Sequence, residues 1–314
     1  MSTGTASRFV NNVFRLLPFT PRILAYQCRF HFKKLLAGFQ KPSPGISILL
    51  VTHNRAGFLK MAIEAVMTTA KLPCELIILD NASTDDTRKV VEAAITKGGN
   101  AVIRYVPKPF NYGTNGYALA FLHSTHDIIL EMDDDILALQ EGWDIKLVQC
   151  FKDFPDLGFV ALDVIQDKYT NGAKHEKEKY IIEQHGSSVI QTGGPVGGWC
   201  TATRRSTYYG VNGFIFLPDK PFRVEDGNYA GKITGRKLRC AILYEVYAYH
   251  ATGPLWNVAG KYEKVWKEKY SIDFREGFMN AIDDVDRENI PDFSVPLKAI
   301  REKELLKNGI ADRN

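Results

Sequence analysis

Four short apolar runs, separated by helix-length stretches, constrain this chain more than any other feature. They are Ile46–Thr52, Glu75–Asp80, Ala101–Val106 and Asp127–Met132. Each has the length of a strand and closes on polar or acidic residues. The intervening stretches, to about Ala70, from about Ser83 and from about Thr114 to Ser124, read as helices. Ser83 and Thr84 are placed to cap the second of these. Strands that alternate with helices predict an α/β domain with a mixed, largely parallel sheet flanked by helices. In an open sheet of that kind, ligands gather outside the carboxyl ends of the strands. No period of 20–50 residues repeats, which excludes a solenoid.

Composition narrows the class. The 314 residues are 45% hydrophobic and 24% charged, which are globular values, so disorder, collagen and coiled coil are excluded. Five cysteines without a CxxC pair give neither a disulfide framework nor a cysteine zinc site, and a reduced compartment follows. No run of 18 apolar residues is present, so no simple helix spans a membrane. Residues 1–44 hold seven Lys or Arg and no acid, and the first acid is Glu64. The remaining 33 bases face all 36 acids, so a basic head precedes a mildly acidic body. A uniformly basic nucleic-acid binder is excluded and nucleic acid is not an expected partner, whereas a local anionic partner stays open.

The head divides at Pro18 and Pro21. Phe9, Val10, Val13, Phe14 and Leu17 have helical spacing, and a second helix is predicted from about Arg22 to Phe39, with Leu24, Phe32, Leu35 and Phe39 on one stripe. Residues 1–42 fit an amphipathic helix on an anionic membrane surface, a helical cap on the body, or an organelle transit peptide. The first fits a cytoplasmic protein held at the inner face of a membrane. Residues 41–45 read as a linker. The expected organisation is a basic helical extension over 1–44, a domain over 45–255 that divides near residue 135, and a helical tail over 256–314. Within the tail, residues 261–270 interleave Lys with Tyr and Trp.

The polar strand ends carry the candidate chemistry. Asp133, Asp134 and Asp135 follow the fourth run, and adjacent carboxylates repel one another unless a cation screens them. Hard divalent cations take such oxygen ligands; a solvated acidic turn is the plainer alternative. Asp80-Asn-Ala-Ser-Thr-Asp85 alone is a helix cap with an Asx turn. Glu225-Asp226 opens a helical stretch and complements its dipole. His250 ends a strand. His123 and His126, three apart, are taken as surface residues.

Their order is more specific than any one of them. Ile46-Ser-Ile-Leu-Leu-Val-Thr-His-Asn-Arg55, Leu79-Asp-Asn-Ala-Ser-Thr-Asp85, Leu130-Glu-Met-Asp-Asp-Asp135, Glu225-Asp226 and His250 together resemble glycosyltransferase family 2, of the GT-A fold, over about residues 45–255. The resemblance implies that Val51, Thr52, His53 and Asn54 line the nucleotide site and that Asp80 and Asn81 read the base. Many relatives have Asp where Asn81 stands. It implies that Asp135, with His250 and Asp133, holds Mn2+ or Mg2+, and that Asp133 and Asp134 hold ribose, sugar or metal-bound water. It makes Asp226 the catalytic base and places Gly198, Trp199 and Glu225 at the acceptor. The implied reaction is metal-dependent, inverting transfer from a nucleotide-diphosphate sugar, UDP- or dTDP-linked, to a saccharide or lipid-linked hydroxyl in surface polysaccharide, lipopolysaccharide or glycolipid synthesis. A sugar-phosphate nucleotidyltransferase would carry a Gly-rich loop where His53-Asn-Arg-Ala56 stands. A non-catalytic binder would not need the full set Asp133, Asp135, Asp226 and His250.

Overall fold

The computed structural model describes residues 19–39, 41–164, 174, 177–217 and 225–250. The expected helix over 9–17, most of the loop over 168–179, the segment 261–270 and the tail 256–314 lie outside them. Ten strands form one sheet in the order β3-β2-β1-β4-β9-β6-β10-β8-β7, and β5 pairs with β10. The first strands are β1 (Ser43–Thr52), β2 (Cys74–Asp80), β3 (Ala101–Pro107) and β4 (His126–Asp133). All pair in parallel, and each of the four predicted runs lies within one of them. The second half adds β5 (Ile136–Leu139), β6 (Leu157–Val164), β7 (Ile181–His185), β8 (Ser188–Thr192), β9 (Cys200–Arg204) and β10 (Arg239–His250). Here antiparallel pairs predominate, with β9 running against both β4 and β6. The sheet is therefore mixed.

Helices cover both faces. One layer holds α2 (Ala56–Thr69), α3 (Thr87–Lys97) and α5 (Trp143–Asp153). Leu59, Ile63 and Val66 of α2 and Trp143 and Leu147 of α5 meet Ile46, Ile48 and Leu50 of β1 in that core. The other layer holds α1 (Phe19–Phe39), α4 (Gly116–Phe121), α6 (Arg205–Gly210) and α7 (Glu225–Gly235). Its core is aromatic, with Tyr26, Phe30, Phe121, Tyr208 and Tyr229 all buried. β1 serves both layers because successive side chains alternate, so Leu49 and Val51 face the second. The five cysteines are free.

The basic head is tied to the body through α1. Tyr26 and Phe30 are 1% exposed, and the Tyr26 ring lies 4.7 Å from that of Phe216. Lys33 Nζ donates to the Ser124 carbonyl at 2.7 Å and Lys34 Nζ to the Tyr209 carbonyl at 2.8 Å. The stripe that helical spacing singled out, Leu24, Phe32, Leu35 and Phe39, is the opposite face and points to solvent. Burying one aromatic of this size contributes about 1.5–3 kcal/mol, so α1 supports the fold itself. No helix among the described residues is long and apolar enough to cross a membrane.

Candidate active site

Strand register gathers the polar ends at one edge. Thr52 stands opposite Asp80 across β1 and β2, and Val51 stands opposite Asp133 across β1 and β4. β10 then reaches the same edge from the other half of the chain. Its pairing with β5 slips by a bulge between Tyr249 and His250, which sets His250 opposite Ile136, beside Asp135 in sequence. Bulges re-aim side chains in this way.

The result is a cluster of two carboxylates and an imidazole. His250 Nε2 lies 3.1 Å from Asp135 Oδ1 and 3.3 Å from Asp133 Oδ2. The three ligand atoms fall within 4.8 Å of one another, and among the described residues this is the group of three or more such side chains that could hold a metal ion. Oxygen donors with one imidazole nitrogen suit Mg2+ or Mn2+. Burial opposes charge on His250, but Asp135 and Asp133 outweigh it and push its pKa up to about 9. The imidazolium is thus the cation that offsets these carboxylates. A histidine ligates a metal only when neutral, so a divalent ion there would replace that proton.

The third aspartate has a different task. Asp134 points back into the domain, where Thr52 Oγ1 donates to its Oδ2 at 2.7 Å and Arg55 Nη1 pairs with its Oδ1. Arg55 Nη2 lies 2.7 Å from Asp135 Oδ2, so one guanidinium bridges two neighbouring carboxylates. Burial and the nearby Asp135 raise the Asp134 pKa against the pull of Arg55. Burial likewise opposes ionisation of Asp135, yet Arg55 and His250 hold its pKa below the usual range. Tyr117 donates to Asp133 Oδ1 at 2.8 Å. Asp133 is the least buried of the three, and Asp134, expected at ribose or sugar, is buried on the protein side.

At the ends of β1 and β2, Asn54 adopts a left-handed φ of 53° that Asn tolerates better than most residues. Its N–H donates to Ser83 Oγ at 2.9 Å, and its Oδ1 accepts from the Thr84 N–H at 2.7 Å. Asn54 thereby joins the ends of β1 and β2. His53 Nδ1 lies 2.8 Å from the Asn81 carbonyl and so carries the hydrogen, which leaves the ring half-buried at the rim. Asp80 accepts from the Ser83 N–H and from Tyr105 Oη. Both ends of the Asn81 amide are engaged: Oδ1 accepts from the Tyr112 N–H and Nδ2 donates to the Gly113 carbonyl, each at 3.1 Å. Asn81 therefore anchors the loop before α4.

The glycine turn at Gly197 and Gly198 is joined to Asp133 through the backbone. The Asp133 N–H donates to the Trp199 carbonyl at 2.9 Å, and the preceding Gly198 N–H donates to Asp226 Oδ2 at 2.9 Å. Asp226 Oδ1 accepts from the Gly227 N–H at 2.6 Å in the first turn of α7. Gly198 has no room for a side chain: a Cβ there would lie 3.0 Å from Asp226 Cβ and 3.2 Å from Glu131 Cδ. A Cβ on Gly197 would strike the Trp199 ring at 2.6 Å. Trp199, expected to offer its indole to a sugar, is buried, and its Nε1 donates to the Leu162 carbonyl at 2.9 Å. It supports the glycine turn from beneath. Glu225 is half-buried beside Asp226.

Three further residues enter the site that the sequence alone did not single out. Arg55 and Tyr117 are described above. The third is Glu131, fully buried on β4, whose carboxylate oxygens have no hydrogen-bond partner among the described residues. Burial first, then Glu225, Asp226 and Asp133, raise its pKa well above the usual carboxylate range, and it lies beneath Gly198. The one signal for it is a glutamate inside the apolar run Ile128–Met132. His123 is less exposed than expected: it is half-buried in the turn after α4, and its Nε2 is buried.

A mixed α/β sheet that carries an Asp-x-Asp-His cluster at its carboxyl edge, with a carboxylate poised across a glycine turn, defines a glycosyltransferase of the GT-A type. The sequence profile of glycosyl transferase family 2 matches residues 47–210, and the chain belongs to that family. An uncharacterised glycosyltransferase of Nostoc sp. (strain PCC 7120) is 26% identical over 162 residues; the match covers 49% of this chain and 47% of that protein, so the chain spans about half the length of the curated relative it matches. Among solved structures, the mannosyltransferase PcManGT from Pyrobaculum calidifontis in complex with GDP-Man and Mn2+ aligns with a TM-score of 0.50 at 16% identity, covering 92% of this chain and 85% of that one. The S. aureus TarS fragment 1–349 in complex with UDP-GlcNAc gives 0.50 at 14% identity, covering 84% and 79%. GalNAc-T7 with UDP, GalNAc and Mn2+ gives 0.51 at 12% identity, covering 84% and 55%. At these identities the likeness is one of fold.

Proposed function

We propose that this protein is a metal-dependent, inverting glycosyltransferase that moves a sugar, a hexose or deoxyhexose, from a UDP- or dTDP-linked donor to a hydroxyl of a saccharide or lipid-linked acceptor. The observation that carries this reading is the continuous link from metal ligands to base: Asp133 bonds Trp199, and Gly198 next to it bonds Asp226. A divalent cation held by Asp133, Asp135 and His250 would supply positive charge for the departing diphosphate. The other tasks belong to the chain. Asp226 holds each oxygen with one backbone N–H and keeps a lone pair on each for the acceptor O–H, whose proton it takes as attack proceeds. One base on the far face from the leaving group favours in-line displacement and inversion. Val51, Thr52, His53, Asn54 and Asp80 form the rim for the base. Asn81 reaches a base only by giving up its bonds to Tyr112 and Gly113.

The neighbours in complex with GDP-Man, UDP-GlcNAc and Mn2+ support a nucleotide-sugar donor and favour Mn2+. Thermal unfolding with UDP, dTDP, GDP and CMP, each with and without Mn2+, tests the donor. A ligand that binds only the folded state at 100 times its dissociation constant adds about 2.7 kcal/mol. The expected result is a shift for UDP or dTDP that requires Mn2+ and disappears in Asp135→Ala. No shift with any nucleotide, in folded protein, removes the reading.

The acceptor reading is tied to α1. Its outward face presents Leu24, Phe32, Leu35 and Phe39, and no acid precedes Glu64. An apolar stripe within a basic, acid-free segment fits an anionic lipid surface, where a lipid-linked acceptor for surface polysaccharide, lipopolysaccharide or glycolipid would reside. Because α1 also fills the core, deleting residues 1–42 would disturb the fold along with the surface. The double substitution Phe32→Ser and Leu35→Ser changes only exposed side chains. It is expected to lower co-sedimentation with phosphatidylglycerol vesicles about tenfold or more at an unchanged unfolding midpoint, and unaltered sedimentation would reject the membrane role. The division into an extension over 1–44, a catalytic unit over 45–255 and a tail over 256–314 is proposed with this reading.

A further inference from the structure

Beneath α1 lies a collection of basic groups with too little negative charge to balance it. Lys33 of α1 and Arg205 of α6 converge on Ser124 in the turn before β4, at 2.7 Å to its carbonyl and 2.9 Å to its Oγ. Arg104 of β3 approaches the same turn through Glu75, which lies 3.4 Å from its Nη2 and also accepts from Thr125. Arg29, one turn before Lys33 on α1, and Lys108, just after β3, complete the group. Neither makes a side-chain hydrogen bond or ion pair within the described structure. His123, next to Ser124, has a buried Nε2 without a hydrogen-bond partner among the described residues.

The charges feel one another. Burial first, and then Arg205, Arg104 and Arg29, lower the Lys33 pKa to about 8 despite Glu75. Burial and Arg29 lower Lys108 to about 8. Burial, followed by Lys108, Arg29, Arg104 and Lys33, lowers His123 to about 3. Glu75 is the only carboxylate among the leading influences on these groups, and Ser47, Thr125 and Arg104 already share its oxygens. Partly buried cations that repel one another raise the free energy of the fold, and a bound anion relieves this.

We propose that Arg29, Lys33, Arg104, Lys108 and His123 form a second anion site that takes a phosphate group. Phosphate suits it better than a carboxylate, because it offers up to two charges and several acceptor oxygens to donors arriving from α1, β3 and the turn before β4. Ser124, on which Lys33 and Arg205 converge, precedes the first residue of β4 and Asp133 is its last, so the strand's rise sets that end of the site roughly 20 Å from Asp133. Lys108 enters from the other end, where its N–H donates to the Asp80 carbonyl at 2.8 Å. The phosphate could be free in solution or carried by a lipid headgroup. The second source is compatible with the solvent-facing stripe on the same helix, but the site does not depend on it.

The test uses the full chain in EDTA, so that nucleotide and metal play no part. Unfolding midpoints are measured in inorganic phosphate and in chloride of matched ionic strength, and binding to vesicles of phosphatidylglycerol and of phosphatidylcholine is measured alongside. Lys108→Met keeps the length of the side chain and removes its charge. In phosphate-free buffer it is expected to raise the midpoint by about 2–4 °C, because it relieves repulsion. In the wild type, phosphate is expected to raise the midpoint where chloride does not. That response should vanish in Lys108→Met and in Arg29→Gln and persist in Lys108→Arg. If free phosphate has no effect, but binding to phosphatidylglycerol alone is lost in Lys108→Met, the phosphate is lipid-borne and the site stands. A midpoint lowered by Lys108→Met, or no phosphate response together with vesicle binding indifferent to both variants, overturns it.

Discussion

Asp226→Asn is expected to reduce transfer by about 10²–10⁴-fold while nucleotide and metal binding persist. The amide keeps the shape of the carboxylate but cannot take the acceptor's proton. Its oxygen can still accept from the Gly198 N–H, so the turn that leads to Trp199 and Asp133 stays in place. The measurement is a turnover assay paired with calorimetric titration of the nucleoside diphosphate in Mn2+. Loss of binding together with turnover would make Asp226 a scaffold for the glycine turn, and full turnover would require another base. Glu225, half-buried next to it, is the first alternative, since Glu131 is fully buried beneath Gly198.

The largest stability effect is expected from Arg55→Met. The guanidinium bridges Asp134 and Asp135, and all three side chains are less than a tenth exposed. It also lies over the Phe58 ring at 4.8 Å, so Met preserves some apolar contact while the charge is lost. Removing one partner from a buried ion pair typically costs about 3–5 kcal/mol, because the remaining charge is left uncompensated. Here two adjacent carboxylates lose their shared cation, with His250 still beside Asp135. Thermal unfolding should fall by roughly 10 °C, and added Mn2+ should restore part of it by supplying positive charge beside Asp135. Arg55→Lys should lie between, since a point charge cannot bridge both carboxylates as the planar fork does. A loss below about 1 kcal/mol would mean that the carboxylates are protonated or solvated without Arg55.

The parallel half of the fold was legible because its strands are unbroken apolar runs that end on polar residues. The second half was legible only in part: the helix that opens at Glu225 and the strand that ends at His250 are α7 and β10, whereas β5 to β9 were not expected. β7 lies on the sheet edge with Ile181 and Ile182 exposed, and β9 reads Cys-Thr-Ala-Thr-Arg, so neither shows an apolar pattern. α1 carries apolar residues on both faces, and spacing alone pointed to the stripe that stays in solvent rather than to Tyr26 and Phe30. In the site, motif order identified the residues at strand ends, since register must bring them together. Arg55, Tyr117 and Glu131 escaped notice for a different reason. Arg55 acquires its role from a bond to a residue 79 positions away, and an isolated buried acid is visible only once its surroundings are known. Trp199 shows the converse: a plausible sugar platform by type, it is fixed inside by one bond to Leu162.

The bulge that aims His250 at Asp135 has a consequence for how the chain acquires activity. The two residues lie roughly a hundred positions apart, and β10 reaches the site paired with β6, itself remote in sequence. Contacts of such long sequence separation close late, because loop entropy must be overcome before they are rewarded. The β1–β4 half can therefore gain its secondary structure while still unable to hold an ion, and competence to bind Mn2+ should emerge with the slowest phase of refolding. A nascent or nicked chain that lacks β10 would then be catalytically silent, and the metal would report that assembly is complete.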